Sequence, residues 1–121
     1  MRRSKKKGVM YISKKYKPRN QFRYNNSKEA AGHPHYIFGE REDKYVSLGL
    51  TTHPKKGMKV YKLEKSLKPK TKKKQQYLQR KVFVSPKDEY GKKRLKGWKF
   101  HAADLPLIRH IKKSFKKGKE I

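Results

Sequence analysis

The chain has 121 residues, enough for one domain, and carries 37 Lys or Arg against 9 Asp or Glu, a formal net charge of +28. Only 32% of the residues are hydrophobic, so the core must be small. The absence of cysteine excludes disulfides and thiolate metal sites. No stretch approaches the roughly 18 consecutive apolar residues of a transmembrane helix.

The charge opposes compaction and predicts a polyanionic partner. Nucleic acid is the favoured partner because basic residues occur along the whole sequence. An anionic membrane is disfavoured because the basic runs lack an amphipathic helix with a strong apolar face. The N-terminus lacks the apolar run of a signal peptide, so we expect a cytoplasmic location and no membrane partner.

Residues 1–28 are predicted to form a basic N-terminal arm, followed by a small β-barrel domain with a C-terminal helix over 29–121. The arm contains no acidic residue, and aromatic and basic residues interleave from Tyr11 to Tyr24. Rings that stack on bases, separated by cations that reach phosphates, suit single-stranded or looped RNA, which favours RNA over DNA. A second interpretation is a solvated arm whose rings dock on the barrel, and both can hold at once.

The clearest secondary-structure signal is a hairpin. Residues 34–39 are rich in β-forming residues, and 40–43 form a charged turn. Residues 44–52 then alternate, with Val46, Leu48 and Leu50 on one face, which is typical of a half-buried strand.

Further strands are predicted at 58–64, 76–85 and 95–100. In the second of these Leu78, Val82 and Val84 share a face, which Arg80 interrupts. The charged run 66–75 is predicted to be a loop. The strand context of Trp98 favours a core position over base stacking.

The last predicted element is a helix. Asp104 is placed to cap it or to lie in its first turn. Leu105, Ile108, Ile111 and Phe115 are spaced by three, three and four residues and so share one face. The sequence therefore predicts a mainly β fold with a C-terminal helix, in the α+β class, with basic and partly disordered termini.

A polar cluster is expected at one end of the hairpin. Its members are histidines, threonines and lysines: His33, His35, Thr51, Thr52, His53, Lys55 and Lys56. Histidine titrates near neutrality, and lysine and threonine can hold a phosphate, as metal-free RNA scission requires. On composition alone we favour the alternative, in which the threonines end a strand and the histidines lie on a nucleic-acid surface. No carboxylate has the right local placement for a histidine metal site, so we expect no metal and no cofactor.

The run KYVSLGLTTHPKK over 44–56, after a strand and a charged turn, resembles the MazF/PemK toxin superfamily, including its RNA-antitoxin branch. The resemblance covers residues 33–63. It implies an SH3-like barrel and a metal-independent endoribonuclease, and it leaves an antitoxin open as a partner. The family's threonine or serine falls on Thr51 or Thr52, and its basic residue before proline falls on His33. With His53 from the polar cluster, the candidate catalytic residues are His33, Thr51, Thr52 and His53. The family usually has Arg before the proline where this chain has His33.

Two hypotheses follow. The first is an RNA-binding, PemK/MazF-like protein with endoribonuclease activity. The second is a non-enzymatic nucleic-acid-binding protein, such as a ribosome-associated or mobile-element accessory factor, and a structural protein of a virion or nucleoid stays open as a third. Convergence of the four candidate residues in one concave pocket would favour the first. The predicted nucleic-acid-binding residues are Arg2, Arg3, Lys5, Lys6, Lys7, Lys14, Lys15, Tyr16, Lys17, Arg19, Arg23, Lys55, Lys56, Lys72, Lys73, Lys74, Lys112 and Lys113.

Overall fold

A computed structural model describes residues 16–64 and 75–116. The elements are β1 (Lys17–Asn25), β2 (His33–Arg41), β3 (Lys44–Thr51), β4 (Val60–Lys62), β5 (Tyr77–Pro86) and α1 (Leu105–Lys116), with short 3₁₀ turns at Lys87–Glu89 and Ala102–Asp104. Most of the predicted charged loop at 66–75 and the predicted disordered termini lie outside the described residues. Within the described residues, no helix has the length and apolar character needed to span a bilayer.

The five strands form one antiparallel sheet in the order β1-β2-β3-β5-β4. The predicted hairpin is confirmed as β2 and β3. Its turn is shorter than expected, because Arg41 already pairs with Lys44. Glu42 lies in the turn and has a left-handed φ of 55°. The prediction of a mainly β fold with a C-terminal helix is confirmed. Among the described strands, no pairing joins β1 to β4, so the sheet is open.

The main core lies between one face of the sheet and α1. Twelve buried side chains form it: Phe22, Tyr36, Phe38, Val46, Leu48, Leu50, Leu63, Leu78, Phe100, Ile108, Ile111 and Phe115. The rings of Phe38 and Phe115 meet edge to face with centroids 5.0 Å apart, an arrangement that aromatic rings favour. The sheet and the helix therefore bury their apolar faces against each other.

The other face of β3 is covered as well. Ser47 is fully buried, and its Oγ lies 2.7 Å from the Tyr90 hydroxyl. Tyr90 reaches this position because the 3₁₀ turn after β5 leads the chain back to β1, where Asn25 and Tyr90 form a β-bridge. The prediction of a half-buried strand was therefore wrong for β3, since the covering residues are distant in sequence.

Residues 17–25, assigned to the arm on sequence, form β1 instead. Phe22 is 4% exposed and belongs to the main core, whereas Lys17 and Arg19 lie exposed on the sheet edge. An edge strand tolerates such charges because one side of it faces solvent. The domain therefore begins nearer the N-terminus than residue 29.

The segment 95–100 is not a strand, contrary to the sequence prediction. Gly97 has a left-handed φ of 81°, which breaks the extended conformation. The Leu95 N–H donates to the Phe22 carbonyl at 2.8 Å and links the segment to the sheet. Trp98 packs against the core as predicted, with its ring centroid 5.8 Å from that of Phe22, although the residue is only half-buried.

The interruption at Arg80 marks an irregularity in β5. Leu48 pairs with Val82 and Leu50 with Leu78, so β5 has two more residues than β3 over this interval. Such a bulge bends a strand and redirects its side chains. Val84 does not extend the apolar face as predicted, because it is 38% exposed.

The stripe predicted on α1 is confirmed for Ile108, Ile111 and Phe115, which are buried. Leu105 is 39% exposed and lies beyond the main core. Asp104 is buried, and its Oδ1 accepts the Glu64 N–H at 2.9 Å. This carboxylate therefore attaches the start of α1 to the chain after β4.

We expect Phe115→Ala to lower the free energy of unfolding by about 3–5 kcal/mol, because it empties a fully buried ring site. Leu105→Ala is the matched control on the same helix and should cost under about 1 kcal/mol, since Leu105 is already partly exposed. Urea unfolding followed by circular dichroism measures both. Equal losses would show that α1 does not pack as described.

Candidate functional site

A cleft of about 470 Å³ lies where the start of β2 and the end of β3 meet the middle of β5. His33, Thr51 and His53, three of the four predicted catalytic residues, line it together with His35 and Lys55. Antiparallel pairing explains the convergence: His35 pairs with Gly49, so the first residues of β2 adjoin the last residues of β3.

His33 is exposed and held in one orientation. Its Nδ1 lies 2.9 Å from the Ala30 carbonyl oxygen. A carbonyl only accepts, so Nδ1 carries a proton and donates it. In the neutral ring the lone pair is therefore on Nε2, which can accept a hydrogen bond.

The end of β3 organises the other candidate residues. The Thr51 Oγ1 accepts the His53 backbone N–H at 3.1 Å, a local bond typical of a threonine that starts a turn. The Thr52 Oγ1 lies 2.9 Å from Nδ1 of His53. Thr52 does not line the cleft, so the structure places it beside the His53 ring, where it can orient the imidazole.

His35 lines the same cleft but is 1% exposed. Its Nδ1 lies 2.8 Å from the Ser47 Oγ and 3.5 Å from the Asn25 amide nitrogen. An amide nitrogen only donates, so in this arrangement Nδ1 accepts and the neutral ring carries its proton on Nε2. Burial, followed by the neighbouring His33, lowers the pKa of His35 to about 3. His35 is therefore neutral near pH 7 and serves the packing of the sheet.

The cleft is strongly basic. Four cationic residues line it: Lys55, Lys59, Arg80 and Lys81. Lys81 forms an ion pair with Glu29, which also lines the cleft. The guanidinium carbon of Arg80 lies 4.7 Å from the centre of the Tyr61 ring, within cation–π range. Positive charge is in excess in the cleft, which suits a negatively charged phosphodiester.

Sequence reasoning missed Lys59, Gln79, Arg80 and Lys81 as cleft residues. Arg80 had a signal, since it breaks an apolar face, and the bulge in β5 is what brings it to the cleft. Gly49 also has a role that the sequence does not indicate. A Cβ at Gly49 would lie 3.0 Å from the Gln79 side chain, so the glycine leaves room for that side chain over β3.

The predicted nucleic-acid-binding residues divide into several groups. Ten lie outside the described residues: Arg2, Arg3, Lys5, Lys6, Lys7, Lys14, Lys15, Lys72, Lys73 and Lys74. Lys17, Lys55, Lys56 and Lys113 are exposed and can reach a ligand. Lys112 is half-buried, with its Nζ 5.6 Å from the centre of the Tyr36 ring.

Arg19 and Arg23 are engaged within the protein. The Arg19 Nε donates to a Glu40 carboxylate oxygen at 2.5 Å, and Lys87 contacts the other oxygen at 3.0 Å. The Arg23 Nη1 donates to the carbonyls of Gly91 and Lys92, both at 2.8 Å. Both arginines therefore have structural bonds that phosphate binding would have to compete with.

Tyr16 docks on the domain, as the second interpretation of the interleaved rings supposed. Its ring meets Phe115 edge to face with centroids 5.1 Å apart. Gly39 makes this possible, because a Cβ there would overlap the Tyr16 ring. Phe22 is likewise in the core. Two of the proposed base-stacking rings are therefore already used in packing.

Among residues 16–64 and 75–116, no group of three or more His, Cys, Asp or Glu is arranged to hold a metal ion. Comparison of the chain with protein-family models, curated proteins and solved structures found no match. The resemblance to MazF/PemK toxins therefore rests on the residues quoted for it.

Because His35 is buried, we expect the free energy of unfolding to fall at acid pH. Its folded pKa of about 3 lies below the ordinary value of 6.5, so protons bind the unfolded chain more strongly. The free energy of unfolding should fall by up to about 1.4 kcal/mol per pH unit as the pH drops below 6.5 toward 3. His35→Gln should flatten this dependence in urea titrations between about pH 7 and about pH 5.

His110→Gln is the control, because His110 is exposed on α1, and it should keep the wild-type slope. Glu40 does not interfere, since Arg19 lowers its pKa and its contribution is lost only below its ordinary value of 4.5. An unchanged slope in His35→Gln would contradict a neutral buried imidazole.

Proposed function

We propose that this chain is an RNA-binding protein of the PemK/MazF type and that its basic cleft is a metal-independent endoribonuclease site. The observation that carries the proposal is the meeting of His33, Thr51 and His53 with Lys55, Lys59 and Arg80 in one cleft. The net charge of +28 supports a polyanionic ligand. The preference for RNA rests on the resemblance and on the chemistry below, which needs a 2′-hydroxyl.

The cleft residues can divide the reaction between them. His33 Nε2 takes the proton of the 2′-hydroxyl, and the 2′ oxygen attacks the adjacent phosphorus. His53 gives a proton to the departing 5′ oxygen. Lys55 and Arg80 stabilise the charge that develops on the phosphorane, which such fixed cations do best in a partly enclosed site. The products are a 2′,3′-cyclic phosphate and a free 5′-hydroxyl.

The proposal includes three further assignments. The sheet is a variant of an SH3-like barrel, which is supported by register shifts in three of its four strand pairings, since such shifts bend a sheet. The protein acts in the cytoplasm, with no membrane partner. An antitoxin that covers the cleft would control it.

A non-enzymatic nucleic-acid-binding protein is the second candidate function, and two observations favour it. Thr52 is outside the cleft lining, and His35 is held neutral inside the sheet. In this case the cleft binds phosphate without cutting. The two candidate functions differ in a single measurable property, namely strand scission.

Incubation with end-labelled RNA in EDTA should yield fragments that end in 2′,3′-cyclic phosphate. His33→Ala should lower the cleavage rate by about 10²–10⁴-fold and leave RNA affinity nearly unchanged, because a general base acts mainly in the transition state. His110→Ala, on exposed helix surface, is the control and should cut normally. Tight binding without cleavage from about pH 6 to about pH 9 would instead establish the second candidate.

The cleft cations should also determine the salt dependence of binding. Lys55→Gln with Lys59→Gln should reduce the slope of log K against log salt by about 1.4, at about 0.7 per phosphate contact on a single strand. Lys44→Gln is the matched control, because Lys44 is exposed at the other end of the hairpin. Fluorescence anisotropy of labelled RNA over a salt series measures both slopes. Equal slopes would place the bound phosphates elsewhere.

A further inference from the structure

A second cavity, of about 290 Å³, lies between β1, the segment 98–100 and α1. Tyr36 lines it, whereas its neighbour His35 lines the basic cleft. Successive residues of a strand point to opposite faces of a sheet. The two sites therefore open on opposite faces of β2, and their linings share no residue.

Aromatic and aliphatic side chains form part of the wall of this cavity. Phe22, Trp98 and Phe100 are aromatic, and Leu105 is the helix residue that the main core leaves 39% exposed. Trp98 rests on Phe22 and is half-buried, so part of its indole stays accessible. Aromatic faces of this kind stack on nucleobases whatever their identity.

Polar groups accompany these walls. The Tyr36 hydroxyl is the one buried side-chain polar atom in the described residues without a hydrogen-bond partner. Burial, followed by Tyr16, raises the pKa of Tyr36, so the hydroxyl keeps its proton and can donate. Lys112 is half-buried against the Tyr36 ring, and burial lowers the pKa of its ammonium group. Arg109 is exposed at the cavity and adds a second cation.

A basic groove of about 610 Å³ continues from this cavity. The two share Asn20, Phe22 and Trp98. Four exposed cations line the groove: Lys92, Lys93, Arg94 and Lys96. Arg23 anchors the loop that carries them, through its bonds to Gly91 and Lys92. The groove therefore presents a row of positive charge that ends at the exposed part of an indole.

We propose that the cavity receives one unpaired nucleobase of a single-stranded RNA whose phosphates lie along the adjacent groove. Trp98 stacks on the base, and the Tyr36 hydroxyl donates to an acceptor atom on its edge. Arg109 and Lys112 hold the phosphate that follows. This inference rests on the proposed RNA binding and adds a second contact, remote from the cleft.

Trp98 is the only tryptophan in the chain, so its fluorescence reports on this cavity and on the end of the groove that adjoins it. A short single-stranded RNA should quench it, whereas an abasic strand of equal length and charge should not. Adenosine 5′-monophosphate should quench only at far higher concentration, because it cannot use the groove. Quenching by the mononucleotide at the same concentration as the strand would overturn the proposal in favour of a free nucleotide.

Tyr36→Phe removes only an unpartnered hydroxyl, so the fold should be unaffected, and affinity for the strand should fall by about 2- to 10-fold. Tyr24→Phe, at an exposed tyrosine of β1, should change nothing. Trp98→Ala should weaken binding by about 5- to 100-fold, in line with the loss of one stacked base.

The same titrations are followed by anisotropy of labelled RNA, which reports binding anywhere on the protein. Binding without a change in Trp98 fluorescence would overturn this inference and leave the proposed function standing. Absence of any binding would overturn both. The double variant Arg94→Gln with Lys96→Gln should lose quenching by the RNA strand and keep quenching by the mononucleotide. This result would support delivery of the base through the groove.

Discussion

The structure depends on the burial of β3 on both of its faces. One face packs under α1 through Val46, Leu48 and Leu50, and the other lies under a hydrogen-bonded layer in which Ser47 joins His35 to Tyr90. A small core can tolerate a net charge of +28 only if the cations stay outside these two layers. They therefore collect at strand ends, at the bulge in β5 and on the loop after it. The basic cleft and the basic groove are each formed by such a group of cations.

Two histidines of one strand illustrate how position decides chemistry. His33 and His35 are two residues apart and lie on the same face of β2. The ring of His35 is enclosed between Phe83 and the Ser47 hydroxyl, and burial keeps it neutral. The ring of His33 is exposed and bonded only through Nδ1 in the contacts described above. The buried imidazole thus supports the strand, whereas the exposed imidazole at the strand end is accessible to a ligand.

The sequence predicts those features whose signal is local. The hairpin and the stripe on α1 follow from periodicity, and hairpin register alone brings His33 beside Thr51. The missed features depend on partners far along the chain. The sequence of β1 resembles a basic arm because the residues that pair with it and pack on it lie further along the chain. Lys59 joins the cleft only through the pairing of β4 with β5. Tertiary packing likewise explains why Leu105 is exposed although it continues an apolar stripe.

The irregular segment 91–95, beyond the 3₁₀ turn that follows β5, affects self-association. β1 is an edge strand, and an open edge can recruit a strand of another molecule. Here the Gly91 N–H donates to the Tyr24 carbonyl at 2.8 Å, and the Leu95 N–H donates to the Phe22 carbonyl at 2.8 Å. These bonds occupy acceptors on the outer side of β1 without adding a regular strand that would itself be an edge. The segment thereby limits strand pairing at the β1 edge, in a protein whose charge a bound polyanion would neutralise.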